Sequence, residues 1–448
     1  MINSKIGIPP SNISMKSDIH ILTLIFVSIA HLSVGIGIIG LSTFIPAQLA
    51  LEGWPDTIIA TLLGIATLFE IFRLAIGYYQ DRYSLFGSFR RNYVLTGLII
   101  QTVGLLMISQ LLGSIFIIFG MIFFTVGSAT VSTTIDAYLV DKSNDSNRNK
   151  FAATLQFFRL SGFAVGGILG AILYSKLKFM DFFIFLSFFG FFIGLISVIA
   201  IRESKEYKND RLSQLSKESA FYDFKILRTQ IKQPIVMGMI LFLLLYPLGL
   251  FLQDAILEPY AIRIFDFNEE GIGRLAAVWG IATLIFIPLG IVFDRKIGRI
   301  QTIILGTIIA TSGLFLIAML GLNPGNLKFL NLPMYQNGLL LFLILFGVGL
   351  GMMTTPSTAL MLEVTVISKN RTLMLSFFGL ALTIGRSSAS FIAAFIMIFK
   401  NYQILFLVEC LFLLSSTIPI YYVYKNLKTK DLIKNEEGLE IFSTVDIS

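Results

Sequence analysis

The feature that most constrains this chain is the length of its apolar runs. They fall at 21–50, 56–79, 93–112, 114–139, 151–173, 181–201, 235–262, 271–293, 300–321, 338–363, 372–398 and 403–424. A helix needs about 20 apolar residues to cross the hydrocarbon of a bilayer. Inside lipid a segment must satisfy its own backbone hydrogen bonds, so each run predicts a helix. The expected fold class is an all-α membrane protein of about twelve transmembrane helices, with the lipid bilayer as its surroundings. Only 14% of the residues are charged, against about 25% in soluble proteins.

The charged residues that remain set an orientation. With both termini on one side, twenty-five Lys and Arg fall in the loops and tails of that side and five in the loops of the other. That bias predicts cytoplasmic termini and an even number of spans. It also explains the net charge of +7 without a nucleic-acid partner. The polar start of the chain lacks the pattern of a cleaved signal, so the first span is expected to direct its own insertion. Cys410 is the single cysteine, and His20 and His31 are the only histidines. No disulfide, zinc-type spacing or other integral cofactor site is expected.

The two halves echo each other. Gly77-Tyr78-Tyr79-Gln80-Asp81-Arg82 is matched by Gly290-Ile291-Val292-Phe293-Asp294-Arg295, and Pro46 and Pro259 stand at the same separation. Gly64-Ile65-Ala66-Thr67 recurs as Gly280-Ile281-Ala282-Thr283, and Gly127 to Asp141 recurs as Gly349 to Glu363. Several ordered matches at a nearly constant separation indicate a duplication. Parallel repeats of six helices resemble the major facilitator superfamily, whose halves are related by an axis along the membrane normal. The expected organisation is a six-helix half over 1–201, a cytoplasmic linker over 202–233, a second half over 234–425 and a tail over 426–448. A short surface helix is expected over 220–231.

The loop after the second span, GYYQDRYSLFGSFRR at 77–91, resembles the superfamily's Gly…Asp-Arg…Gly…basic pattern. Asp81 ends a helix, where the dipole disfavours an acid, so a cation on a neighbouring helix end is expected beside it. A pair that breaks as the halves rock would form a conformational latch of Gly77, Asp81, Arg82, Arg90 and Arg91, echoed by Asp294 and Arg295. The plainer reading is that these bases only set topology.

Ionisable residues inside spans are costly and face an interior. Glu70 and Arg73 are three apart and can pair along one helix face; Asp136 and Arg159 can pair across adjacent spans. These four are either neutralised structural pairs or the lining of a cavity. Glu409 falls on the twelfth span, where a structural role is expected. Asp254 and Glu258 are four apart on one face of the seventh span, just before Pro259. Proline there frees a carbonyl near Ala255 and breaks or kinks the helix. A broken helix carrying two acids suits a substrate or proton site.

The stretch Gln253-Asp254-x-x-Leu257-Glu258-Pro259-Tyr260, followed by Ala277-Val278-Trp279-Gly280 in the next span, closely resembles the PucC family. That family is the bacteriochlorophyll-delivery branch of the major facilitator superfamily, with cyanobacterial relatives. The resemblance extends over roughly 30–400 and includes DRYSLFGSFRRNYVLTG at 81–97. Ala261-Ile262 stands where a Gly-Gly-like pair is expected. The resemblance implies a role in assembling light-harvesting or photosystem complexes, with a chlorophyll-type pigment as cargo, in the inner or thylakoid membrane of a phototroph. Gln253, Asp254, Glu258, Pro259 and Tyr260 become the foremost cavity candidates.

His31, mid-span in the first helix, offers either a magnesium ligand for a pigment or a hydrogen bond to a neighbouring helix. The aromatic run at 182–192 offers either pigment contact or a packing and lipid-facing surface. No P-loop, dinucleotide fingerprint or HExxH is present, so the chain is expected not to be an enzyme. Two functions remain open: a pigment-delivering assembly factor, and a proton-coupled secondary transporter of a small amphiphile using Asp254 and Glu258.

Overall fold

The computed structural model describes residues 21–110, 114–142, 148–203, 231–321, 332–366 and 371–426. Twelve helices among them are long and apolar enough to cross a membrane: Leu22–Leu51, Asp56–Gln80, Arg91–Ser109, Phe116–Leu139, Thr154–Leu173, Phe179–Ala200, Pro234–Phe251, Glu269–Ile297, Arg299–Leu320, Met334–Thr365, Met374–Met397 and Tyr402–Asn426. The chain is an integral, multi-pass membrane protein, with these twelve spans among the described residues. The surface helix expected over 220–231 and most of the tail lie outside the described residues, as does His20.

Apolar side chains point both ways, as lipid requires. Phe182 and Phe183 are buried, packed edge-on to each other. Phe185, Phe188 and Phe192 on the other face of that helix are exposed. The aromatic run is therefore one packing face and one outward face.

The duplication is visible in the packing. The first span packs on the fifth and sixth, as the seventh does on the eleventh and twelfth; the third packs on the fourth and sixth, as the ninth does on the tenth and twelfth. The repeated glycines occupy matching places. Gly127 lies on the backbone of the third span at Gly97 and Gln101, and Gly349 lies on the ninth at Gly306 and Ala310. A side chain at either glycine would drive the two helices apart.

Two helix pairs make the most extensive contact between the halves: the second span with the eleventh, and the fifth with the eighth. The latter seam is built of small residues. Gly167 rests on Ala276, Gly273 on Ala171, and Gly280 on Ala164. Backbones can approach closely there, and attraction comes from packing rather than from polar bonds.

Three spans depart from regular α-helix. The first contains a π-turn at Gly40–Phe44. The second contains a 3₁₀ turn at Phe69–Ile71. The seventh stops at Phe251 and restarts at Leu257. Pro259 is thus the third residue of the restarted helix, where an intrahelical N–H bond is not required. Pro247, inside the preceding helix, is tolerated without a break.

Candidate functional site

A cavity of about 350 Å³ lies between the halves. It runs from Trp279 and Arg386 at mid-depth to Leu139, Phe151 and Thr365, near the span ends on the side of the linker. Phe163, Phe242, Tyr246, Phe251 and Trp279 give it an aromatic wall, and Phe163 stacks on Trp279 across the seam at 6.0 Å. Glu70, Arg73, Asp136, Arg159 and Arg386 give it a charged edge.

The charged edge is wired differently from the local pairs expected. Glu70 bonds Arg386 of the eleventh span at 3.3 Å, not Arg73. The same guanidinium reaches Asp254 of the seventh span at 3.5 Å and lies 4.8 Å over the Phe251 ring. Arg386 therefore ties the first half, through Glu70, to the break in the seventh span. The 3₁₀ turn that holds Glu70 shifts the helical phase between it and Arg73, and Arg386 offers a better-placed charge.

Asp136 and Arg159 do not pair directly either. His31 stands between them, its Nε2 at 3.1 Å from Asp136 Oδ1 and its Nδ1 at 3.5 Å from Arg159 Nη2. The ring is fully buried and both nitrogens are engaged. The imidazole is thus not presented as a pigment ligand; it joins the first, fourth and fifth spans. Arg73 and Arg159 line the cavity without an ion pair of their own among the described residues.

The seventh-span motif is divided by its break. Asp254 sits in the link and Glu258 in the restarted helix, so they do not share one helix face. Gln253, Asp254 and Glu258 line a second, small chamber with Ser42 and Thr43 of the π-turn and with Trp279. The Oε2 of Glu258 and the Oε1 of Gln253 have no partner. Tyr260 points elsewhere. Its hydroxyl donates to the Ile317 carbonyl at 3.2 Å, and its ring packs on Phe265, Tyr402 and Phe406. Glu409 on the twelfth span is fully buried with neither oxygen bonded, close to Asp254 and the Gln253 backbone.

The far end of the molecule is closed by a cluster that the sequence did not single out. Asp56, at the start of the second span, lies 3.0 Å from Arg263 of the seventh and accepts a 2.5 Å hydrogen bond from Tyr402 of the twelfth. Arg263 also donates to the Trp54 carbonyl. One carboxylate of the first half is thus held by two side chains of the second. Removing it should loosen this end by about 1–2 kcal/mol. The expected result for Asp56→Ala is roughly tenfold faster amide exchange over 45–60 and 257–268, read by hydrogen-exchange mass spectrometry. Unchanged exchange would show that the apolar seam alone holds this end shut.

The predicted latch has a definite second copy. Arg299 lies 3.8 Å from Asp294 and bonds Glu363 as well. These residues end the eighth span, begin the ninth and end the tenth, all within one half, so this copy does not bridge the halves. Arg295 is exposed. In the first copy the Asp81 side chain lies outside the described residues. Arg82 stacks 4.5 Å over Tyr78, Arg90 is fully buried and Arg91 is exposed. Gly77 sits in the cavity wall between Thr133 and Ser376.

Glu203, at the end of the first half, organises that loop. Its carboxylate accepts from the Ser88 hydroxyl at 2.7 Å and from the backbone N–H groups of Phe89, Arg90 and Arg91 at 3.0, 2.6 and 3.0 Å. The last of these, Arg91, begins the third span, so the carboxylate caps that helix. Burial pushes the Glu203 carboxyl up, but those hydrogen bonds outweigh it and hold the group below the usual carboxylate range.

Among the described residues no group of three or more His, Cys, Asp or Glu is arranged to hold a metal ion. A POT family transporter solved with a thioalcohol-conjugated peptide superposes with a TM-score of 0.68 over 90% of this chain and 96% of its own, at 14% identity. Another, solved with 5-aminolevulinic acid, gives 0.67 over 89% and 94%, also at 14% identity. At that identity the likeness establishes the fold, which is that of the major facilitator superfamily. No curated protein matches the chain in sequence. The family described as PUCC protein matches residues 47–426, a span holding both seam helix pairs, the broken seventh span and the charged edge, and to that family this chain belongs.

Proposed function

We propose that this chain is a non-enzymatic assembly factor that takes up a chlorophyll-type pigment and passes it to light-harvesting or photosystem apoproteins. The observation that carries this reading is the family match over 47–426, which includes the whole Gln253–Tyr260 motif. The cavity adds physical support. A flat conjugated ring can lie against Phe163, Trp279 and Phe251, while Arg73 and Arg159 offer donors to acceptor oxygens at its edge. His31 is committed to Asp136 and Arg159, so pigment recognition in this reading rests on stacking and edge hydrogen bonds. The loop charges favour cytoplasmic termini, with the cavity then open to the cytoplasm.

The test is purification from the native membrane in mild detergent, followed by an absorption spectrum and a subunit inventory. Chlorophyll-type absorption that co-purifies, and falls at least several-fold in an Arg73→Ala/Arg159→Ala variant expressed at the same level, is the expected result. A pigment-free protein that drives solute-dependent proton flux in proteoliposomes would overturn it in favour of a small-solute transporter.

A further inference from the structure

The small chamber beside the main cavity is not used by the pigment reading. It measures about 20 Å³, room for one water-sized occupant. It lies between the π-turn of the first span and the break of the seventh, and Trp279 lines both it and the main cavity.

Its lining is a set of hard oxygen donors. Glu258 and Gln253 are 3% and 2% exposed, and each has an oxygen with no partner. Ser42 and Thr43 add two hydroxyls. The π-turn and the broken helix are where backbone carbonyls leave regular bonding, an arrangement that suits a small cation. The charge balance is also specific. Of the two acids in the lining, Asp254 is bonded to Arg386, and Glu258 has no cation beside it among the described residues. A buried carboxyl without a partner calls for a proton or a cation beside it.

We infer that this chamber binds a single desolvated monovalent cation of sodium's size, held by Glu258, Gln253, Ser42 and Thr43. Sodium is favoured over a proton because several oxygens converge, where a proton needs only one acceptor. It is favoured over a divalent ion because Asp254, the other acid of the lining, is already bonded to Arg386. The site also has a means of acting on the cavity. An ion in the chamber draws on Asp254 and so competes with Arg386, whose other bond is to Glu70 in the opposite half. Occupancy would thereby weaken a bridge between the halves.

The test uses the full chain in nanodiscs with radioactive sodium, at constant ionic strength and with choline as the replacement cation. Saturable binding approaching one ion per chain is expected, with potassium a poor competitor. Glu258→Gln should abolish binding, and Gln253→Ala should weaken it at least tenfold. Glu409→Gln removes a buried acid outside the lining and should bind as wild type. Folding of each variant is checked by gel filtration and circular dichroism; should Glu258→Gln misfold, Gln253→Ala decides the question. Absence of saturable binding by folded wild type, or full binding by Glu258→Gln, overturns the inference. So does stabilisation by acid alone with sodium adding nothing, which would assign the occupant as a proton. The readout involves no pigment, so its failure is separate from failure of the assembly-factor reading.

Discussion

Arg386→Leu is expected to abolish function and to lower stability by about 3–5 kcal/mol. The guanidinium serves Glu70 at 3.3 Å and Asp254 at 3.5 Å. All three side chains are less than one-fifth exposed, so solvent screens little of the interaction. Deleting the shared cation leaves two carboxylates close together in a low-dielectric site, which is costlier than never having placed charges there. The triple variant Glu70→Gln/Asp254→Asn/Arg386→Leu separates stability from function. Its thermal midpoint should return to within a few degrees of wild type, because no uncompensated charge remains. Its function should not return, because the charged edge is gone. Arg386→Lys should fall between, since an ammonium cannot serve two carboxylates in the fixed fork of a guanidinium. Thermal unfolding in detergent together with pigment-complex accumulation reads both effects. A triple variant as unstable as Arg386→Leu would show that Arg386 stabilises the fold more by packing against Phe251 than by its charge.

Gly167→Val is expected to shift the conformational balance rather than to unfold the chain. A β-carbon at Gly167 would meet the backbone of Ala276 at 2.8 Å, and backbone atoms cannot rotate out of the way. Overpacking of this kind costs about 1–3 kcal/mol, and here it falls on the end that is closed. Opening that end relieves the clash, so the population should move by roughly 10- to 100-fold toward a state closed at the linker side. A single cysteine at Thr365 in a Cys410→Ala background reports this. It lines the cavity near the linker side, and its maleimide labelling should slow several-fold in the Gly167→Val variant. Equal labelling rates would mean that the fifth and eighth spans do not separate when the molecule rocks.

The spans, their number and the pairing of the halves were legible because they rest on local quantities: apolar length, loop charge and ordered repetition. The site was only partly legible. Glu70, Arg73, Asp136 and Arg159 could be nominated as cavity residues because charge inside a span is rare and costly, and all four line the cavity. Their partners were not legible, since Arg386 and His31 arrive from distant spans and sequence spacing favours local pairs. The rule that places Asp254 and Glu258 on one face fails because it assumes an unbroken helix between them. Proline marked the region of the break but not its position, which falls ahead of it at Leu252–Ile256. Asp56, Arg263 and Tyr402 looked like ordinary span-end residues. Only the folded chain brings them together.

The repeated glycines carry a historical consequence. Gly64 packs against Phe391 of the eleventh span, and its counterpart Gly280 packs against Ala164 of the fifth. Read through the repeat, these are one contact made twice, with the roles of the halves exchanged. That is the signature of an isologous interface, in which the same patch meets itself across a two-fold axis. The seam therefore has the form of an ancestral six-helix homodimer whose two copies now share one chain. Fusion released each copy from the demand of self-complementarity. Arg386 and Glu70 now form a cross-seam bond that a symmetric dimer would have had to make twice.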